Sequence, residues 1–285
     1  MTEMNRRIGF IGGGNMAEAI AGALIRTGCC PPSRIMASDV SPDRREYLQR
    51  TYGIHTVPDN TDVFLCVDVV ILAVKPQIMD SVLSQLSDVI AEKNPPGFRK
   101  LIISVAAGFP IQKMESRLYS RIDPDTAARL PIARVMPNTP ALVMAGMSGI
   151  SYNRHIMPED KAMAMAILGV TGSVLEFEEQ ALNAVTAVSG SGPAYVFYLI
   201  EAMIEAGVSL GLSETDSSAL TLQTVKGAVK LLDERKEPPR DLRRKVTSPG
   251  GTTEAAITVM EQASIKDNII KALTAACRRA NELSG

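Results

Sequence analysis

Between Arg7 and about Leu130 the chain alternates short apolar runs with stretches of helical character. The runs are IGFI at 8–11, IMASD at 35–39, VVILAV at 69–74 and LIISVAAG at 101–108. Such alternation predicts a parallel sheet wrapped by helices. Each run is apolar nearly throughout, not at every second position, which suits strands buried on both faces. ARVMPNTP, SGISY and SVLEF extend the sheet to about Phe177.

After Phe177 the period changes. In GPAYVFYLIEAMIEAGVSLGL the residues Val196, Leu199, Ile200, Met203, Ile204 and Val208 recur at three- and four-residue steps, with Glu201 and Glu205 on the other side. This predicts a long amphipathic helix with Pro193 in its first turn. LSETDSSALTLQTVKGAVKLL begins another, Ser213 and Asp216 forming the S-x-x-D capping pattern. EPPRD at 237–241 breaks the run, because two successive prolines cannot lie inside a helix. A further break, SPGGTTEAAI at 248–257, is rich in backbone donors and opens straight into a helix. Such a turn suits an anion, a tight helix-helix corner, or both. The chain therefore reads as an α/β N-terminal domain followed by an all-α C-terminal domain. The boundary belongs near residues 160 to 180, and a division at 168/169 gives domains of 1–168 and 169–285.

A length of 285 residues agrees with two domains of ordinary size. With 46% hydrophobic and 21% charged residues and a net charge of −1, the composition is globular and carries no like-charge arm for nucleic acid. The apolar runs fall short of the ~20 residues a membrane span needs, so no membrane partner is expected. MTEMNRRIGFIGGG lacks a sustained apolar segment with a cleavage site, which points to a cytoplasmic protein. Cys29, Cys30, Cys66 and Cys277 form no CxxC pair, and His55 and His155 are the only histidines, so no metal site is expected. Cys29 and Cys30 read as small, partly buried residues at a helix end. The two histidines read as surface or turn residues, and Tyr195, Phe197 and Tyr198 as helix packing.

RIGFIGGGNMAEAIAGAL places Gly12, Gly14 and Ala17 in the GxGxxG/A spacing, after a strand and opening a helix. That context gives a tight turn, close approach of backbone to a pyrophosphate and a helix N-terminus aimed at its charge, so the first domain is Rossmann-like. Asp39, at the end of the second predicted strand, suits adenosine ribose hydroxyls and NADH, whereas Ser38, Arg44 and Arg45 suit a 2′-phosphate and NADPH. Both cofactors stay open on this evidence. Ser41, Pro42 and Asp43 read as a helix start. AVKP places Lys75 at the carboxyl edge of the sheet, where ligands bind in open α/β folds.

Taken together, IGFIGGGNMAEAI, LAVKP, VMPNTPALV, SGSGPAYVF and SPGGTTEAAI resemble the pyrroline-5-carboxylate reductases, in order and over nearly the whole chain. The resemblance implies hydride transfer from NADPH or NADH to the C=N carbon of a small cyclic imine carboxylate, the last step of proline biosynthesis. It implies a substrate carboxylate held by Ser248 and by backbone around Gly250, Gly251 and Thr252, with the Thr253 hydroxyl near the ring nitrogen. On the cofactor side it implies Gly12, Gly14, Asn15 and Met16 at the pyrophosphate and Asn60 near the adenosine, where Asp39 departs from the residue expected of a strongly NADPH-preferring member. Ala73, Lys75 and Pro76 would lie beside the nicotinamide half, and Asn138 and Thr139 near the carboxamide and substrate. Thr253 and Lys75 are the candidate catalytic residues, and Glu237 matches a position near the substrate loop. A protonated imine is already electrophilic, so the protein mainly has to orient and shield the reactants.

A β-hydroxyacid dehydrogenase shares the domain order but uses a lysine on the first helix after the nucleotide domain, and Gly192 to Gly207 contains none. A nucleotide-binding regulator that lost the chemistry is the other rival, against which stands the intact SPGGTT turn. The helical half has too large an apolar stripe to bury alone. Homodimerisation through it is expected, and the resemblance adds a possible ring of dimers.

Overall fold

The structure is a computed structural model and describes residues 5–93 and 99–284. In chain order, β1 (Ile8–Ile11) leads into α1 (Asn15–Arg26), β2 (Ile35–Ser38) into α2 (Pro42–Tyr52), and β3 (His55–Val57) into α3 (Asn60–Cys66). Next, β4 (Val69–Leu72) leads into α4 (Pro76–Lys93), and β5 (Leu101–Ser104) into α5 (Ile111–Leu118) and α6 (Pro124–Ala128). Then follow β6 (Ile132–Met136), a 3-10 turn (Thr139–Val143), β7 (Gly146–Tyr152), α7 (Pro158–Gly169), β8 (Gly172–Glu176) and the short α8 (Leu182–Val185). The helices α9 (Gly192–Ser209), α10 (Glu214–Arg235), α11 (Pro239–Lys245), α12 (Thr252–Gln262) and α13 (Ile265–Ser284) complete the described chain.

The strands form one sheet in the order β3-β2-β1-β4-β5-β6-β7-β8, parallel except between β6 and β7. The apolar runs are continuous because successive side chains feed two cores. Ile8, Phe10, Ile71 and Ile103 pack on one face with Ile20 and Leu24 of α1. Ile11, Val70, Leu72 and Ile102 pack on the other with Phe64, Leu83 and Met114. This is the period-two geometry of a strand covered on both sides. The expected fold class is the one observed. β3 escaped the sequence reading, in which His55 was a surface or turn residue; the strand is three residues long, lies at the sheet edge and has no apolar run to mark it. Cys29 and Cys30, after the end of α1, are fully buried and not partly so.

The described residues divide into two compact units, one reaching Gly190 and taking in those from Cys277 onward, the other Ser191–Ala276. The first unit thus runs past the expected division at 168/169. β8 continues the sheet beyond that point, and Leu182 of α8 is fully buried, packing with Val185 over Gly149 of β7. Within the first unit, Arg134 on β6 is buried and pairs with Glu179 at 2.9 Å, whose carboxylate also accepts from the N–H of Ile111 at the start of α5. One carboxylate thereby compensates a buried charge and caps a helix.

The second unit turns α9 back on α10. Ser217 is buried and donates to the Ile204 carbonyl at 2.8 Å, and Ser213 caps α10 through the N–H of Asp216, as its spacing predicts. Of Ser191–Ala276, only Ser217 and Thr221 are buried. Phe197 is 64% exposed, Tyr198 75% and Leu210 85%. Phe197 and Tyr198, expected as helix packing, are thus largely uncovered in the single chain. Among the described residues no helix is long and apolar enough to cross a membrane. The first four residues of the N-terminal stretch lie outside the described ones.

Lys100 precedes β5 and is fully buried, donating to the Val67 carbonyl, with its ammonium 5.0 Å from the Phe64 ring centre. Burial pushes its pKa down to about 7, against the opposing pull of Asp68. Between about pH 7 and 10.5 the unfolded chain then binds a proton that the native state does not, so this lysine makes stability rise with pH across that window. Lys100→Met should flatten that rise. Urea denaturation at pH 7 and pH 10 should show the variant's stability advantage shrinking at the higher pH; an advantage independent of pH would contradict it.

Candidate active site

The strand order reverses between β2-β1 and β4-β5, and the carboxyl ends of β1 and β4 open the crevice where open α/β sheets bind ligands. The glycine turn lies there. Gly12 has φ +93°, and a Cβ on it would meet the Ala73 carbonyl oxygen at 2.8 Å, so a side chain is excluded twice over. Its N–H donates to the Ser38 carbonyl at 2.9 Å, and the Ala73 N–H donates to Ile11 at 2.8 Å, which ties the ends of three strands together. Gly14 is the N-cap of α1 with no side-chain bond and open space beside it. The first amides of α1 therefore face outward, next to exposed Asn15 and half-buried Met16. This cradle fits a diphosphate.

A network that the sequence reading did not assemble braces the turn from α2. Arg44 donates through Nε to the Gly13 carbonyl, pairs with Glu18 of α1 and lies 4.9 Å from the Tyr47 ring centre. Glu18 also accepts from the hydroxyls of Tyr47 and Tyr52, each at 2.9 Å. Burial raises the Glu18 pKa, but Arg44 and the two tyrosines outweigh it and hold the carboxyl below its ordinary value. Burial and Glu18 together push the Tyr52 hydroxyl up to about 12. In sequence these residues are ordinary helix-surface polars; only the packing of α1 beside α2 joins them.

The other expected cofactor-side residues fall along the same sheet edge. Ser38 is buried and donates to Asn60 Oδ1 at 2.8 Å, and Asn60 donates to Gln85. Asp39 accepts from the N–H groups of Gly13 and Ser41. Ala73 and Pro76 are half-buried and Lys75 exposed, its carbonyl accepting from Ile78 in the first turn of α4. Asn138 accepts from the Met147 N–H at 2.8 Å and donates to Ser189, which pins the turn that starts with exposed Thr139.

The remaining expected residues lie in the second unit. Gly250 has φ +71° and reverses the chain after Pro249, and Gly251 is the N-cap of α12 with no side-chain bond. The amides of Thr252 and Thr253 are left without intrahelical partners, while the Gly250 N–H goes to Glu254 at 2.7 Å. Ser248 and Thr252 are exposed and Thr253 half-exposed. Glu237, before α11, pairs with Lys245 at its end. The chain thus carries two backbone anion cradles, one in each unit.

Residues 179–283 match the family model described as pyrroline-5-carboxylate reductase dimerisation, and residues 7–108 match one described as NADP oxidoreductase, coenzyme F420-dependent. The pyrroline-5-carboxylate reductase of Synechocystis sp. is 42% identical over 98% of this chain and 99% of its own. The chain belongs to the pyrroline-5-carboxylate reductase family. The solved reductase from Coxiella burnetii is 40% identical, with a TM-score of 0.87 over 99% of this chain and all of the other. That from Plasmodium falciparum, solved with NADP bound, is 30% identical, with a TM-score of 0.86 over both full chains.

In this member of the pyrroline-5-carboxylate reductase family the glycine turn admits no Cβ at Gly12. Gly12→Ala should cost about 1–3 kcal/mol through strain at positive φ and should abolish measurable NADH and NADPH binding by displacing the Ala73 backbone. Thermal unfolding and nucleotide fluorescence check both; a variant that binds with native affinity would show that the close approach is dispensable.

Proposed function

We propose that the chain reduces the C=N bond of 1-pyrroline-5-carboxylate with NAD(P)H, giving L-proline in the last step of proline biosynthesis. The observation that carries this reading is the pairing of an uncapped glycine turn at the sheet switch point with an uncapped SPGG turn on α12, in a chain similar end to end to reductases of that name. Bound NAD(P)H supplies the hydride. Gly12, Gly14, Asn15 and Met16 hold the pyrophosphate, and Ser38, Asp39 and Asn60 bound the adenosine. Ala73, Lys75 and Pro76 flank the nicotinamide half, with Asn138 and Thr139 at the carboxamide.

Ser248 and the backbone of Gly250, Gly251 and Thr252 hold the substrate carboxylate, with the positive end of the α12 dipole behind it. The Thr253 hydroxyl bonds the ring nitrogen, and Lys75 completes the reactive edge. Glu237, taken by Lys245, acts by holding the end of α11 from which the turn departs. Solvent supplies the substrate proton, so no acid of the protein has to titrate in the pH-rate profile.

The family model over residues 179–283 assigns homo-oligomerisation to the helical half. The exposed Phe197, Tyr198 and Leu210 give the physical reason, since so large an apolar surface is stable only when covered. The assembly is a homodimer through that half, in the cytoplasm.

Adding pyrroline-5-carboxylate to protein with NADH or NADPH should consume the nicotinamide absorbance. Thr253→Ala should lower kcat by at least about tenfold, the size of one hydrogen bond to a changing charge, with nucleotide affinity unchanged. Absence of turnover from folded, nucleotide-binding protein refutes the reaction, and an equal loss of nucleotide affinity refutes the role of Thr253.

A further inference from the structure

Resting on the dinucleotide reading above, we infer that Asp39 makes this chain select NADH over NADPH at the adenosine ribose. The sequence left the choice open because the same segment offers an acid and two arginines. The geometry separates them. Asp39 follows β2 and fills the crook between the glycine turn and the N-cap of α2, its Oδ2 accepting from the Gly13 N–H at 2.8 Å and its Oδ1 from the Ser41 N–H at 2.9 Å. A carboxylate has about four acceptor positions, so two remain. Those two suit the paired hydroxyls of an unphosphorylated ribose, which donate. A 2′-phosphate brings more negative charge to the same place, and the two amides best placed to receive it already serve the carboxylate.

The cations that would have to compensate are committed elsewhere. Arg44 divides its guanidinium between the Gly13 carbonyl and Glu18, and its centre lies 4.9 Å from the Tyr47 ring centre, in cation-π range. Arg45 donates to the carbonyls of Asp39 at 2.7 Å and Val40 at 3.2 Å. Swinging Arg44 away to a phosphate would strand Glu18 beside two tyrosines, and swinging Arg45 away would release the carbonyls of Asp39 and Val40. Ser38, the remaining candidate donor to a phosphate, is fully buried with its hydroxyl on Asn60. The end of β2 thus presents a carboxylate, with both arginines beside it held by carbonyls or by Glu18, which suits ribose hydroxyls better than a phosphate.

The test is equilibrium binding of NADH and NADPH to the full chain, followed by nicotinamide fluorescence or calorimetry with no imine present. NADH should bind at least about tenfold more tightly at low salt, the scale expected of a like-charge clash, and salt should narrow the ratio. Asp39→Asn keeps the size and one acceptor but removes the charge, and should bring the ratio to near unity by strengthening NADPH. Arg45→Gln should leave NADPH affinity within about twofold, well below the tenfold of a lost charge pair. Wild-type protein that binds NADPH as tightly as NADH overturns the inference. So does an Asp39→Asn variant that loses both nucleotides equally, which would make Asp39 only a brace of the glycine turn, or a selective NADPH loss in Arg45→Gln. An NADPH-preferring protein that still reduces the imine sinks the selectivity and spares the reaction; NADH-selective binding without imine turnover does the opposite.

Discussion

The constraint on which the first unit depends is the approach of backbone to backbone at Gly12. There the chain leaves β1 at a positive φ, hands its N–H to the end of β2 and passes within side-chain distance of the end of β4. Because the site occupied by a Cβ in any other residue is filled by the Ala73 carbonyl, three strand ends meet in one small volume. The sheet order, the crevice between β1 and β4 and the outward-facing amides of α1 all follow from that meeting.

Around this fixed point the polar groups are used with little left over. Asp39 caps the turn from one side and Arg44 grips it from the other, and Glu18 holds Arg44 in place while collecting two tyrosine hydroxyls. Such a network is strong when every member is satisfied, and here each half-buried charge has its partner. It also gives the β2 end of the crevice an electrostatic character that no single residue announces.

The second unit follows a different logic. α10 is capped by Ser213 and tied to α9 by Ser217, yet the unit buries almost nothing of its own beyond Ser217 and Thr221. Helices of this length are stabilised by a covered apolar face and not by propensity alone. The unit is therefore a surface in search of its like, and the family model for dimerisation falls on it.

The strands with continuous apolar runs, the capped start of α10, the break at Pro238 and the two glycine turns were legible in the sequence, because each is set by local stereochemistry or by a period. β3 was not, having neither length nor apolar run, and the end of the first unit was not, because the segment after Phe177, which reads as the start of the helical half, holds α8, and α8 packs over Gly149 of β7. The sequence by itself thus determined the alternation of elements, the family and the residue types at both anion cradles. Only the tertiary structure decided that Arg44 and Arg45 are committed to Glu18 and to backbone carbonyls, that Asp39 consumes the amides beside it, and that Glu179 compensates a buried arginine on β6. The physical reason is that these are partnerships between residues distant in the chain, and a side chain's charge and donors are visible in sequence whereas the group that uses them is not.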